Sequence, residues 1–366
     1  MTTLLPAVGY PADVAAVGLL RAEREADADP GNPAQAAEVL TLRHREAMLT
    51  GARPEHLLAL GTAVDRAVER FPAWPDLRLL RAGLALAVHR PDLAAAALDA
   101  VPGLTATPPG RVLAADVAQA VGDYAAAREG YGQAAREDPL WDTTARQAAL
   151  ALATGADDEA DVLYAAAEDD ITIKQMRAFA WVRVQRAELA RSLGALDRAA
   201  RLLADAERAY PGWWYVTAHT AALDAAAGRP DRAVTGYRSV LADVDRPDFR
   251  EALGSALQAT GAADAAAAAR AAALTAYLAS VARGEVHYLH HLAAIHVDVH
   301  PPAAVAWAQE DVEVRRNGTT LSLLAWSLYR AGRRDDALAV LDEAFALGAA
   351  DPLLRTRARV IREGST

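Results

Sequence analysis

Along the chain, apolar residues recur at helical spacing, and no stretch sustains the strict alternation of a half-buried strand. Runs of Ala with Leu, Val, Arg and Glu have high helix propensity, so every element they predict is a helix. The runs are punctuated by short breaks at Gly51, Gly122-Asp123, Gly155, Gly194, Gly228-Arg229-Pro230, Gly261 and Gly332-Arg333. The intervals 122 to 155, 194 to 228 and 228 to 261 are 33 or 34 residues. A fixed period of that size marks a helical repeat array with one helix pair per period. It outranks the two-domain expectation that the length of 366 residues would give.

Repeats started at residues 75, 108, 141, 180, 214, 247, 285 and 318 align into columns. The eighth position holds Ala82, Ala115, Ala148, Ala187, Ala221, Gly254, Leu292 and Ala325. The twentieth holds Ala94, Ala127, Ala160, Ala199, Ala233, Ala266, Ala304 and Ala337, eight alanines from eight. Position 27 reads Val101, Ala134, Ala167, Ala206, Val240, Ala273, Asp311 and Ala344. The reason is steric: two antiparallel helices cross closely only where side chains are small, and the next repeat packs on the same seam.

Gly122-Asp123-Tyr124, Ala127, Tyr131, Ala134 and Asp138-Pro139 match the second-helix signature of the tetratricopeptide repeat (TPR). Gly332-Arg333 through Ala337, Leu341 and Ala344 match it again, and Leu253-Gly254 with Leu257 match the first-helix signature. The chain thus resembles the TPR family over roughly residues 75 to 349. The resemblance implies an all-α fold, a right-handed TPR-type α-solenoid of about nine antiparallel helix pairs with a C-terminal capping helix. The expected organisation is one continuous array over 1–366: a degenerate helix pair over 34–72, eight repeats over 75–349 and a capping helix over 351–362. Two repeats carry extra residues, around Ile171–Ala178 and Ala279–Gly284, which predicts longer helices there. The repeat from 285 is the most divergent, with Leu292, Ala308 and Asp311 in place of the usual residue types.

Composition narrows the chemistry. The chain is 53% hydrophobic and 23% charged, with 93 Ala, 37 Arg, one lysine (Lys174), no Cys and a net charge of −10. It can bury a core. Disulfides and thiolate metal sites are excluded. A nucleic-acid binder would show a basic stripe, which this balance argues against. Lys174 sits in no phosphate-loop context, and no dinucleotide, nucleophile-elbow or zinc-protease motif is present. The Met1–Pro6 start lacks the basic and apolar regions of a leader, and the Ala265–Ala269 tract is interrupted by Arg270, so a cytoplasmic protein without a membrane span is expected. The Ala and Arg bias suggests a bacterial genome.

Two candidate sites remain. In the family the chain resembles, positions 2, 5, 9 and 12 of each first helix line a concave groove that binds protein or peptide partners. Those positions give Trp181, Glu188 and Arg191, then Tyr215, then Asp248, Glu251, Ser255 and Gln258. They continue with His296 and end with Ser322, Trp326 and Tyr329. Acidic groups followed by aromatic ones suit a peptide with some basic character. The family's clamp for a C-terminal carboxylate needs Lys, Asn and Arg, and with one lysine and only Asn32 and Asn317 it is absent. Trp213, Trp214 and Trp141 fall at repeat junctions, where Trp214 is expected to pack and Trp213 to be freer.

The other candidate is a histidine cluster. His287, His290, His291, His296 and His300 supply five of the nine histidines within 14 residues, with Glu285 and Asp298 nearby. His287 and His291 are four apart, so on one helix their imidazoles would share a face and could hold a divalent metal such as zinc. His291 falls at repeat position seven, where packing is the alternative role. The expected function is therefore a non-catalytic scaffold or adaptor, the alternative a metal-binding protein; a homo-oligomer is compatible with either.

Overall fold

A computed structural model describes residues 9–29 and 31–364, apart from the side chain of Lys174. The Met1–Pro6 stretch lies outside the described residues. Among the described residues a first helix, α1 (Tyr10–Asp27), precedes nine helix pairs. They are α2 (Pro33–Leu49) with α3 (Pro54–Arg70), α4 (Pro75–Ala87) with α5 (Pro91–Asp99), and α6 (Pro108–Ala120) with α7 (Tyr124–Glu137). Next come α8 (Trp141–Ala153) with α9 (Asp157–Asp169), α10 (Met176–Ser192) with α11 (Leu196–Ala209), and α12 (Trp214–Ala226) with α13 (Pro230–Asp243). The last three are α14 (Pro247–Ala259) with α15 (Ala263–Ala282), α16 (Leu289–His296) with α17 (Pro301–Val314), and α18 (Gly318–Arg330) with α19 (Arg334–Ala346). The chain closes with α20 (Pro352–Glu363), and no strand occurs among the described residues.

Local chemistry sets these boundaries. Proline opens α4, α6, α14 and α20, where its missing N–H costs nothing. Asn32, Thr107, Asp123, Asn317 and Asp351 accept from backbone amides of the first turn. Both asparagines of the chain are thus helix caps. Six of the eight repeat starts coincide with helix starts: Pro75, Pro108, Trp141, Trp214, Pro247 and Gly318. The two exceptions are the repeats with extra residues. At the first, α10 begins at Met176 and runs 17 residues. At the second, α15 takes the extra length, reaching 20 residues, and α16 is left with eight.

The twentieth-position column is fully buried, and the helix crossings beside it are close. All eight of its alanines, Ala94 through Ala337, are 0% exposed. At Gly236, in α13, an added Cβ would sit 2.8 Å from the Cβ of Ala221 in α12, so the crossing admits little more than what is there.

The described chain divides into two compact units, each made of two separate segments, with boundaries inside α3, α9 and α15. Unit one joins residues up to Ala63 with Ala167–Ala271. Its core gathers Ala180, Leu203, Tyr210, Trp214 and Val244, with Tyr10 packed against it. The two segments are tied through backbone: the Trp214 indole donates to Leu49 O at 2.9 Å, and Arg246 donates to Gly51 O at 3.0 Å. The Tyr210 hydroxyl donates to Asp13 at 2.8 Å across 197 residues of chain.

Unit two joins Val64–Ala166 with residues from Ala272 onward. One apolar core unites Tyr124, Tyr131 and Leu150 with Leu321, Leu341 and Ile361. Asn317 donates to Ala120 O at 2.8 Å, and Ala350 N to Ala153 O at 2.9 Å. Gly318 N donates to the Tyr124 hydroxyl at 2.8 Å across 194 residues. Solenoid repeats ordinarily touch only their neighbours; in each unit here, repeats also touch others nearly 200 residues away.

By length and composition α15 is the one helix among the described residues long and apolar enough to cross a bilayer, with a mean hydropathy of 1.4. It carries Asp264 and Arg270, and Ala266, Ala273 and Tyr277 are 0% exposed.

Candidate functional site

In unit one the first helices α10, α12 and α14 carry the expected groove side chains, and the structure links them across repeats. Glu188 receives Arg191 at 2.6 Å from its own helix and His219 at 2.9 Å from the next first helix. Burial alone would raise the Glu188 carboxyl, yet the hydrogen bonds from His219 and Arg191 hold it at about 2. Gln185 donates to the Tyr215 hydroxyl at 2.9 Å, and burial pushes that phenol up to about 12. The Tyr215 ring packs on His219 at 4.5 Å and on Trp213 at 5.0 Å. Asp248 pairs with Arg246 at 2.9 Å, whose guanidinium lies 5.1 Å from the Phe249 ring. Trp181 and Glu251 are half-buried, whereas Ser255 and Gln258 are exposed. The acidic character expected of this face is therefore partly cancelled from within, by Arg191 against Glu188 and Arg246 against Asp248.

Trp213 is not the freer tryptophan. It is 6% exposed, as is Trp214, because Tyr210, Trp214 and Tyr215 enclose it.

In unit two, Trp326 and Tyr329 lie side by side with ring centroids 5.6 Å apart. Arg330 covers Trp326 at 5.8 Å and pairs with Asp298 at 2.9 Å. Ser322 does not face a groove: it is 2% exposed, and Arg357 of α20 donates to its hydroxyl at 3.1 Å. The capping helix packs over that position.

The histidine cluster is dispersed. Because α16 begins at Leu289, His287 precedes the helix and does not share a helical face with His291. His287 lies 3.3 Å from the Ser280 hydroxyl, and His290 Nδ1 lies 3.1 Å from Asp311. His291 stacks on Tyr277 at 5.3 Å. His296 Nδ1 donates to Leu292 O at 2.7 Å, and His300 accepts from Ala303 N to cap α17. Among the described residues, no three His, Asp or Glu side chains gather as a metal ion requires.

No protein-family model matches the chain, and no curated protein matches it. Solved structures do. Human IFIT1, solved as a dimer with m7Gppp-AAAA, is 14% identical, with a TM-score of 0.53 over 87% of this chain and 72% of that one. A chain of the Cut9–Hcn1 hetero-tetramer of APC/C is 11% identical over 88% of this chain, with a TM-score of 0.49. This chain spans only 55% of that one's length. TTC0263, a thermophilic TPR protein of Thermus thermophilus, is 24% identical over 46% of this chain, with a TM-score of 0.39. Helix pairs at the 33- or 34-residue period, sealed by a fully buried alanine column, settle the architecture. The fold is TPR-like.

Placed on the TPR repeat, two polar groups missed in the sequence become legible. In α6 and α8 of unit two, Asp116 accepts from the Tyr131 hydroxyl at 2.6 Å and pairs with Arg146 at 3.0 Å. Burial raises the Asp116 carboxyl despite both partners. Asp116 and Glu188 occupy the same repeat position, nine, so aligning first helices would have found it. The second group surrounds Asp311, which replaces a small residue in the column at position 27 and is 1% exposed. Arg315 at 2.9 Å and His290 hold its carboxyl below the usual range, although burial opposes them. His89 stands beside this group at a TPR turn that is glycine in six of the eight repeats.

Proposed function

We propose that this protein is a non-catalytic scaffold that binds a protein or peptide along the first helices of its repeats, with α10, α12 and α14 as the principal surface. The reading rests on one observation: side chains of successive first helices are already joined, Gln185 to Tyr215 and Glu188 to His219. Such links fix rotamers before a partner arrives and lower the entropy cost of binding. Ser255 and Gln258, both exposed, offer donors and acceptors to a peptide backbone beside them. With Glu188 and Asp248 neutralised by their own arginines, a strongly basic partner is not required; an uncharged segment carrying hydrogen-bonding and apolar side chains fits better. The net charge of −10 favours a polypeptide over the RNA seen with IFIT1.

The test selects peptides from a random library on the full chain and maps the best binder by hydrogen exchange. Protection should fall on α10, α12 and α14. Changing Ser255 and Gln258 together to Arg should weaken binding about tenfold without altering the helical circular dichroism. Protection confined to the second helices, with affinity unchanged in that variant, would overturn the reading.

A further inference from the structure

The capping helix α20 concentrates positive charge in an acidic protein. It carries four arginines against one acid, Glu363, while the whole chain has a net charge of −10. Two of the four have internal tasks. Arg355 is held by Asp157 at 2.5 Å and by Ala350 O at 2.7 Å. Arg357 reaches Ser322, and burial lowers its guanidinium. Arg362 lies 5.0 Å over the Phe345 ring, with only a 3.8 Å approach to the exposed Asp342. Arg359 is exposed, and no ion pair or hydrogen bond engages it among the described residues.

Residues 355, 359 and 362 follow the i, i+4, i+7 spacing that places side chains on one helix face. Together with Phe345, Ala358 and one acid, Glu363, they line an open cleft of about 420 Å³. Arg355 is balanced by Asp157, whereas Arg359 and Arg362, three residues apart, repel one another, and the helix dipole at the C-terminus favours only charges in the last turn. Arg334 already serves that end, donating to Ile361 O at 2.9 Å and to Arg362 O at 2.6 Å. Neither helix stability nor internal pairing therefore accounts for Arg359.

We infer that this cleft is a docking site for an acidic peptide segment of a partner protein, with its carboxylates received by Arg359 and Arg362 and an apolar side chain laid beside Phe345. Charge complementarity and the fork geometry of guanidinium groups choose the occupant. From 359 to 362 the helix rises about 4.5 Å, the span of one to two residues of extended chain. The segment thus bears carboxylates on adjacent or alternate residues. The site lies within unit two and does not depend on the surface of α10, α12 and α14.

The experiment is fluorescence anisotropy with the full chain and a short fluorescein-labelled peptide of Glu and Asp around a central Trp. Saturable binding that weakens at high salt is expected. Arg359→Glu should weaken it about tenfold with the circular dichroism unchanged, and Gln and Asn in place of the peptide's acids should do the same. The Ser255 and Gln258 double variant should bind this peptide normally, which separates this site's failure from that of the first-helix surface. Equal binding by Arg359→Glu, equal binding of the uncharged peptide, or no saturable binding would overturn the inference. Self-association of the protein that Arg359→Glu abolishes would seat a second copy there and overturn it as well.

Discussion

His89 follows the last turn of α4, where Gly122, Gly155, Gly194, Gly228, Gly261 and Gly332 stand in six other repeats. Those glycines have φ between 70° and 84°, and His89 takes φ 60° although it carries a Cβ. A non-glycine residue there costs about 1–2 kcal/mol, so its surroundings must hold it. They comprise Arg315, Asp311, His287 and His290. Burial, reinforced by Arg315, lowers the His89 imidazole from 6.5 to about 3. Between those values the unfolded chain binds a proton that the folded chain refuses, so stability is full above 6.5 and is lost as pH falls toward 3. For one such site the slope is at most about 1.4 kcal/mol per pH unit. His290 and His44 are lowered by burial as well and act in the same direction. Asp311 and Glu188, held low, lose their contributions only below the ordinary carboxylate range. His89→Gly should therefore flatten the decline in unfolding free energy between about pH 6.5 and 4.5, measured by urea denaturation at several pH values. An unchanged slope would assign the acid sensitivity to His290 and His44. The glycine column makes this residue visible in the sequence once the repeats are aligned; its neighbours are not, because they come from the repeat that starts 210 positions later.

At the level of elements, helix starts were legible because they rest on local chemistry, proline at the first turn and an Asn, Asp or Thr cap. The inserted residues were legible as a length excess but not in their placement. Nothing local distinguishes a longer α15 followed by an eight-residue α16 from the reverse, and that choice moved His287 off the helix it was expected to share with His291. Asn317 shows how one residue can serve two elements. Its side-chain oxygen accepts from Thr319 N and Thr320 N at 3.1 and 3.2 Å, capping α18, while its amide donates to Ala120 O at 2.8 Å at the end of α6. The two roles can be separated. Asn317→Asp keeps the cap but turns an acceptor toward the Ala120 carbonyl, and Asn317→Ala loses both functions. The cap is worth about 1 kcal/mol, and a buried carbonyl left without its donor costs about 1–3 kcal/mol. Both variants should destabilise the protein in chemical denaturation. An aspartate variant as stable as the wild type would show that the tie to Ala120 contributes nothing.

For the whole molecule, the period and the alanine column carry the repeat architecture because close helix crossing is a demand on side-chain size, and size is written in the sequence. Four of the ties between distant segments run through Leu49 O, Gly51 O, Ala120 O and Ala153 O, and a backbone carbonyl leaves no signature in the residue that bears it. Some glycines hint at them. A Cβ on Gly122 would lie 2.5 Å from Arg316 O, whereas one on Gly228 would meet nothing within 4 Å. These ties change the expected unfolding behaviour. In a nearest-neighbour array, local stability grades along the chain and frays from the ends. Here residues 9–63 cover Tyr210 and Trp214 of the segment 167–271, so the two segments of unit one should open together. Native-state hydrogen exchange in low denaturant should report one shared opening free energy for the cores of α2 and α12. Removing residues 1–63 should then accelerate exchange throughout α12 and shift its tryptophan emission to the red, with little change around α18 and α19. Exchange in α12 that is indifferent to the truncation would restore the nearest-neighbour array, leaving the contacts at Leu49 and Gly51 as touching surfaces without energetic weight.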